Sequence, residues 1–119
     1  MTMTAIMVPR IAAKIAVPIA NRQMAAQRDQ PRACLNLGVL YATGQMPGIK
    51  IDFKESVRWY KRAADLGVGR AAAVLGGMAL RGNGMSKDAA VAEAYFGRAE
   101  ELGFDVEEYL QSIGLQRKL

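Results

Sequence analysis

The sequence predicts an all-α fold, an α–α superhelix (solenoid) of stacked helix-loop-helix repeats, and three observations lead to it. Alternation of apolar and polar residues, which is typical of strands, is scarce along the 119 residues. Hydrophobic residues make up 51% of the chain but aromatic residues only 7%, so small apolar side chains prevail, and these suit closely packed helices. The chain also repeats itself, since the pattern of 33–67 recurs over 71–103, which is typical of stacked repeat folds.

The internal repeat is seen in two alignments. Residues 33–44 match residues 71–82, and residues 52–67 match residues 88–103. The loop between the two matched stretches is two residues shorter in the second unit, and such length changes are tolerated in loops. The matched pairs are Ala33 and Ala71, Leu37 and Leu75, Gly38 and Gly76, Gly44 and Gly82, Asp52 and Asp88, Trp59 and Tyr95, Tyr60 and Phe96, Ala63 and Ala99, and Gly67 and Gly103.

Each unit is predicted to fold as helix A, a loop that contains glycine, and helix B. Asp52 followed by Glu55 predicts a capping box at the start of a B helix, and Gly67 lies where a helix end needs a left-handed residue. Small residues let helices A and B cross closely. Each pair of adjacent aromatic residues is predicted to wedge between units, so Trp59 is expected to be largely buried. The predicted helices span 31–43, 52–66, 69–81 and 88–102, followed by a short helix over 105–112.

The whole chain, 1–119, is predicted to be a single repeat domain. Shifting the pattern back by one more unit places Ala25 and Ala26 on the Ala63–Ala64 pair, whereas the aromatic positions become polar. Terminal repeats that face water are commonly atypical. The predicted units are a degenerate leading half-repeat at about 11–29, repeat one at 30–67, repeat two at 68–103, and a C-terminal capping helix and tail at 104–119.

The N-terminal segment allows two other interpretations. Residues 1–28 contain no acidic residue, which resembles an organelle-targeting peptide. Ile11, Ile15 and Ile19 form an i, i+4 row that is typical of a helix lying on a membrane surface. No uncharged apolar run reaches about 18 residues, so no membrane span is expected. A single cysteine fits a reducing compartment, and we expect a cytoplasmic location.

The composition argues against catalysis and metal binding. The chain has no histidine, which removes the usual general base, the commonest metal ligand and the Ser-His-Asp and Cys-His arrangements. Its one cysteine, Cys34, cannot form an intramolecular disulfide and is expected to be buried among apolar residues. We therefore expect no enzyme activity and no cofactor.

The charge is distributed unevenly along the chain. Residues 1–62 carry ten basic and three acidic residues, a net charge of +7, whereas residues 63–119 carry six basic and eight acidic residues, a net charge of −2. Such polarity suits an acidic partner or self-association between unlike halves. The alternative is that these charges only solvate exposed helix faces.

The repeated residues carry a family resemblance. The pattern A-x-x-x-L-G-x-x-Y-x-x-G, a loop, and D-x-x-x-A-x-x-W-Y-x-K-A-A-x-x-G resembles the Sel-one-like repeat, a relative of the tetratricopeptide repeat. It is carried by the matched residues above together with Tyr41, Ala64, Gly84 and Ala92. Ala79 stands in place of the second tyrosine, and Ser56 in place of the usual alanine. The resemblance implies a non-catalytic adaptor or scaffold that binds other proteins, in bacteria or in eukaryotic complexes. A small inhibitor protein is a further role that we consider.

Two surfaces are candidates for partner binding. The first is a groove along the A helices, formed by Asn36, Leu40 and Thr43 and, one repeat later, by Val74, Met78 and Arg81. The same stripe equally fits ordinary helix packing. The second candidate is a basic row on the first B helix and the loop before it, which consists of Lys50, Lys54, Arg58, Lys61 and Arg62. This row would receive an acidic protein surface or nucleic acid, or would simply face solvent.

The sequence therefore predicts a protein–protein interaction module that uses the groove, the basic row or both. Its expected partner is another protein with acidic groups or a second copy of the chain. A nucleic-acid-binding accessory protein that uses the basic N-terminal half is the alternative, although no base-stacking aromatic residue is available among the charges. A membrane partner is not expected.

Overall fold

The computed structural model describes residues 30–117, which form five α-helices and no strand. The predicted all-α solenoid is confirmed, and each predicted helix agrees with the structure to within one residue at either end. The leading half-repeat, the isoleucine row and the targeting-peptide interpretation all concern residues outside this range. The helices are α1 Pro31–Thr43, α2 Phe53–Asp65, α3 Gly69–Arg81, α4 Ala89–Glu101 and α5 Val106–Ile113.

The helices pack as two stacked hairpins. Helices α1 and α2 pair in the first unit, α3 and α4 pair in the second, and α2 packs against α3 to join the units. The short helix α5 contacts both α3 and α4 at the C-terminal end of the stack. Much of the core consists of small side chains, as the composition predicts, and Phe96, Leu37 and Leu75 are its largest fully buried members.

A glycine under an aromatic ring sets the crossing of the two helices in each hairpin. A Cβ atom added to Gly38 would lie 2.7 Å from the ring of Tyr60, and one added to Gly76 would lie closer still to the ring of Phe96. Real Cβ atoms do not approach so closely, so only glycine admits these rings. The predicted close crossing at these two glycines is therefore confirmed.

The two members of each aromatic pair have different surroundings. Trp59 is only 6% exposed, which confirms the expectation that it is buried. Tyr60 and Phe96 instead pack on the A helix of their own unit. The prediction that these two rings wedge between units is therefore wrong. The reason is geometric: adjacent residues point about 100° apart on a helix, so one member faces its own hairpin and the other does not.

Ser56 ties the same crossing together with a buried hydrogen bond. Its side chain is fully buried, and its Oγ donates to the carbonyl oxygen of Gly38 at 2.7 Å. At the matching position of the second unit, Ala92 is also fully buried. The serine therefore fits where the repeat pattern has alanine because its hydroxyl group finds an acceptor on α1.

The loop between the helices of each hairpin is fixed by an aspartate. Asp52 accepts a hydrogen bond from Glu55 N at 3.1 Å, and Asp88 caps α4 in the same way. The predicted capping box is wrong in its second half, because Asp52 N already donates to Tyr41 O at 2.8 Å. The Glu55 carboxylate instead pairs with Arg58 at 3.3 Å.

The B helices end as predicted. Gly67 has a φ of 97°, and Val68 N donates to Ala63 O at 3.0 Å. Gly103 and Phe104 repeat this geometry at the end of α4. This left-handed ending turns the chain directly into the next A helix.

Replacing either crossing glycine with alanine should destabilise the fold. We expect Gly38→Ala and Gly76→Ala each to lower the free energy of unfolding by about 1–3 kcal/mol, because the added methyl group overlaps a buried ring. Gly97→Ala is the matched control, since Gly97 lies within α4 and an added Cβ meets nothing within 4 Å. The control should stabilise the helix by about 0.5–1 kcal/mol in urea unfolding. Equal effects at all three positions would contradict the crossing.

Stability should also fall in alkaline solution because of Tyr60. Burial raises the pKa of Tyr60 from 10.0 to about 12. Between these two pH values the unfolded chain loses the phenol proton while the folded chain keeps it, so the free energy of unfolding decreases as pH rises. We expect Tyr60→Phe to remove up to about 2–3 kcal/mol of this loss. The measurement is urea unfolding of both proteins at pH 7 and above pH 11. Equal decreases in the free energy of unfolding of the two proteins would show that Tyr60 is not the cause.

Candidate partner-binding groove

A solvent-open groove lies where helices α1, α3 and α5 meet. It encloses about 270 Å³ and extends to the first turn of α2. This space is slightly smaller than the range of about 300–1,000 Å³ that is usual for small-molecule sites. Its lining residues are Ala42, Phe53, Val74, Gly77, Met78, Arg81, Asn83, Tyr109 and Ile113.

Helix α3 supplies the floor of the groove. Val74, Gly77, Met78 and Arg81 follow the i, i+3, i+4, i+7 spacing that places residues on one helix face. Met78 is 7% exposed, Val74 is half-buried and Arg81 is exposed. Gly77 adds no side chain to this floor, and the side chains of Leu115 and Ile113 lie 3.7 and 3.9 Å from the place that its Cβ atom would take.

The structure places the six predicted groove residues differently in the two units. Val74, Met78 and Arg81 of the second unit all line the groove. Their counterparts in the first unit do not. Leu40 belongs to the core at 7% exposure, as Met78 also does, which fits the alternative of ordinary helix packing for these two residues. Asn36 and Thr43 are exposed on α1 outside the groove lining. Whether any of the six binds a partner stays a prediction.

Sequence reasoning missed the side of the groove that the last helix provides. Tyr109 and Ile113 lie four residues apart on α5 and both line the groove. Their i, i+4 spacing is the signal that could have suggested a shared face. The helix that this face packs against is set by the tertiary contact between α5 and α3. Helical periodicity alone does not specify that contact.

Two arginines flank Tyr109. Arg81 lies at one end of the groove, and Arg70 lines an adjoining depression that also contains Tyr109 and Glu108. Burial raises the pKa of Tyr109, and the positive charges of Arg81 and Arg70 oppose that rise. Among residues 30–117, neither arginine has an ion pair. The groove is therefore mainly apolar with a positive charge at Arg81, whereas the depression beside Arg70 also contains Asp105 and Glu108.

A family comparison matches both hairpins. The model of the Sel1 repeat matches residues 31–68 and 69–104, which together make up more than half of the chain. The chain belongs to the Sel1 repeat family. Sel1 repeats are typically non-catalytic modules for protein–protein interaction, and the second Sel1 repeat of this chain supplies the groove floor.

Solved structures of other Sel1 repeat proteins are similar. A Sel1 repeat protein from Oxalobacter formigenes is 36% identical, with a TM-score of 0.63, and the match covers 69% of this chain and 33% of that one. A protective antigen of uropathogenic Escherichia coli with an SLR fold is 33% identical, with a TM-score of 0.66, and the match covers 79% of this chain and 21% of that one. The chain thus spans about a third and a fifth of these proteins. A comparison with curated proteins finds no match.

The end of the Sel1 stack is closed by an arginine cluster. Arg117 Nε lies 2.7 Å from Glu93 Oε2, and Arg117 Nη1 lies 3.0 Å from Glu100 Oε2 and 3.1 Å from Glu107 Oε1. The guanidinium carbon is also 5.3 Å from the ring centroid of Phe96. Hydrogen bonds to Glu100 and Glu93 raise the pKa of Arg117, and the arginine lowers the pKa of Glu100. This cluster joins α5 to α4 and so helps to hold the α5 side of the groove.

The basic row lies on the B helix of the first Sel1 repeat and the loop before it. Lys50, Lys54, Arg58 and Lys61 are exposed, and Arg62 is half-buried. The guanidinium carbons of Arg58 and Arg62 lie 5.4 and 5.9 Å from the ring centroid of Trp59, within the range of cation–π contact. Two members of the row thus pack on a buried ring, and the use of this face by a partner stays a prediction.

Other chemistry has little support in the part of the chain that the structure describes. Cys34 is fully buried, as expected. No cluster of three acidic, cysteine or histidine residues within 30–117 could hold a metal ion. None of the helices in this range is both long enough and apolar enough to cross a membrane.

Removing the Arg117 charge should loosen the last helix. We expect Arg117→Gln to lower the melting temperature and to speed amide hydrogen exchange in α5 more than in α1. The difference should shrink in about 1 M salt, which screens exposed ion pairs. Arg98→Gln is the control, because Arg98 is exposed on α4 and lies outside the cluster. Unchanged exchange in α5 would show that the cluster does not hold this helix.

Proposed function

We propose that this Sel1-repeat chain binds a partner protein in the groove between α1, α3 and α5 and catalyses no reaction. The observation that carries the proposal is that α3 has two sets of residues, one that packs the hairpin and one that lines the groove. Ala71, Leu75 and Gly76 are fully or nearly fully buried at repeat positions and hold the hairpin together. The groove residues of α3 stand at positions outside the repeat pattern, so they are free to serve a partner.

The size of the groove favours side chains of a protein over a cofactor. A volume of about 270 Å³ accommodates one or two side chains, and the groove is open to solvent along α3. Met78 adds a flexible thioether to its floor, which adapts to an irregular partner surface. Aromatic and arginine residues, represented here by Phe53, Tyr109 and Arg81, are also the types enriched at protein interfaces.

The basic row offers a second contact. Lys54 and Lys61 are exposed on α2, and a partner with acidic groups would gain from meeting them. Exposed rim charges chiefly affect the association rate and its salt dependence. We therefore assign the binding energy to the groove and electrostatic attraction to the basic row.

Photo-crosslinking from the groove tests the proposal. A photoreactive residue at position 74 should capture a protein in extracts of the source cells, whereas the same group at position 94 should not. Ala94 is the matched control, because it is exposed on α4 away from the groove. Arg81→Glu should reduce capture from position 74 by about tenfold or more. Equal products from both positions, or none from position 74, would remove the groove from the account.

A further inference from the structure

We infer that one edge of the Sel1 stack binds the surface of an anionic phospholipid bilayer. This edge, called the loop edge, consists of residues 44–54 and 82–91, which include the loop inside each hairpin and the starts of α2 and α4. The inference goes beyond the proposed function, because it concerns a surface other than the α3 floor of the groove. It departs from the sequence-based expectation that a membrane is not a partner.

The topology of the stack brings both loops to the same edge. Each hairpin runs from an A helix to a B helix, and the hairpins stack through α2 and α3, so α2 and α4 begin at the same edge. A Cβ atom added to Gly84 would overlap the carbonyl oxygen of Phe53 and would lie 2.9 Å from Val57 Cγ2. The second loop therefore lies directly against the start of α2, and the two loops share one surface.

Large apolar side chains are exposed along the loop edge. Within residues 30–117 the exposed large hydrophobic residues are Ile51, Phe53, Leu66 and Val91, and all but Leu66 belong to this edge. Ile51 is the most exposed of them at 57%. Ile51 and Val91 lie outside the lining of the groove and of the depression beside Arg70. Single exposed apolar residues are common, but three on one edge with charges around them mark a contact surface.

Lysine residues are interleaved with these apolar side chains. Each of the three has a lysine within four residues of it in the sequence, in the pairs Lys50 and Ile51, Phe53 and Lys54, and Lys87 and Val91. All three lysines are exposed, and none of them forms an ion pair among residues 30–117. Two of these lysines, Lys50 and Lys54, also begin the basic row.

The acidic residues near the loop edge are engaged within the protein. The carboxylates of Asp52 and Asp88 accept hydrogen bonds from backbone N–H groups at the starts of α2 and α4. The positive ends of these two helix dipoles offset the aspartate charges. Glu55, in the first turn of α2, pairs with Arg58 at 3.3 Å. The charges that this edge offers to a partner are therefore positive.

An anionic bilayer fits this combination of groups. Lysine side chains can extend their ammonium groups to lipid phosphates while the apolar side chains beside them enter the interface between head groups and acyl chains. The negative potential of the bilayer attracts each lysine near its surface. A folded protein would need a matching shape, whereas Ile51 and Val91 protrude singly and line no described depression. The bilayer is therefore the occupant that this edge favours.

The opposite edge of the stack lacks this combination. Its loops, residues 65–69 and 101–105, contain Asp65, Glu101 and Asp105 and no lysine or arginine. Leu66 is exposed there at 37%, directly after Asp65. Attraction to an anionic bilayer therefore favours the loop edge over this one, and Leu66 provides a matched control.

Co-sedimentation of the intact chain with lipid vesicles tests the inference. The chain should bind vesicles of phosphatidylserine and phosphatidylcholine, and it should bind pure phosphatidylcholine vesicles much less. Lys50→Gln and Lys87→Gln should each weaken binding by about fivefold, as expected for the loss of one lysine near an anionic surface. Ile51→Ser should also weaken it. Lys61→Gln and Leu66→Ser change exposed residues outside the loop edge and should bind normally.

A readout at single positions separates the loop edge from the basic N-terminal segment. An environment-sensitive fluorophore would be attached to the introduced cysteine of Ile51→Cys or, as the control, of Leu66→Cys. Cys34 is fully buried and should not react in the folded protein. Anionic vesicles should shift the emission from position 51 to shorter wavelengths and leave that from position 66 unchanged. The shift at position 51 should persist at saturating lipid when Arg10→Gln and Lys14→Gln are added.

Three results would overturn the inference: no binding to anionic vesicles, equal weakening by Lys50→Gln and Lys61→Gln, or loss of binding only when Arg10 and Lys14 are replaced. A protein crosslinked from position 51 without any vesicle binding would show that the loop edge meets a protein instead. Circular dichroism checks the folding of each variant, and the exposed lysine variants decide the result if Ile51→Ser does not fold. The proposed function fails or succeeds separately, because crosslinking from position 74 tests the groove.

Discussion

The contact between a glycine and an aromatic ring, Gly38 with Tyr60 and Gly76 with Phe96, is the constraint on which the rest of the structure depends. It brings the backbones of the two helices in each hairpin close together, and the small residues around it allow the same approach along their length. Because both hairpins use the same contact, they have matching geometry and can stack through α2 and α3. Helix α3 of the second hairpin then forms the groove floor, and α1 adds Ala42 to the groove lining.

The C-terminal segment completes this arrangement. Helix α5 is shorter than the other four, and it contacts α3 and α4. Arg117 binds carboxylates on α4 and α5 across this junction, above the ring of Phe96 that fills the Gly76 crossing. The ring that sets the second hairpin therefore also supports the end of the stack. One side of the groove is formed by α3 of the second repeat, and the other side is formed by α5, which lies outside the repeats.

The repeat explains why much of the fold could be predicted from the sequence. Periodicity, aspartate caps and helix-ending glycines are local signals, and they gave the helix positions and the burial of Trp59 and Cys34. The α3 half of the groove followed from the same periodicity. The alignment of the two units nevertheless treated α1 and α3 as equivalent, although α3 also contacts α5. Leu40 and Met78 are both core residues at 7% exposure, but only Met78 also borders the groove, whose other side is formed by Tyr109 and Ile113 of α5.

A double-mutant cycle at Gly76 and Phe96 is the most direct test of the central constraint. The free energy of unfolding would be measured for the parent, Gly76→Ala, Phe96→Leu and the double variant. A shared contact predicts that the two changes are not additive, with the smaller leucine relieving the overlap and a coupling energy of at least about 1 kcal/mol. Additivity to within about 0.5 kcal/mol would show that the ring and the glycine act independently, which would contradict the account.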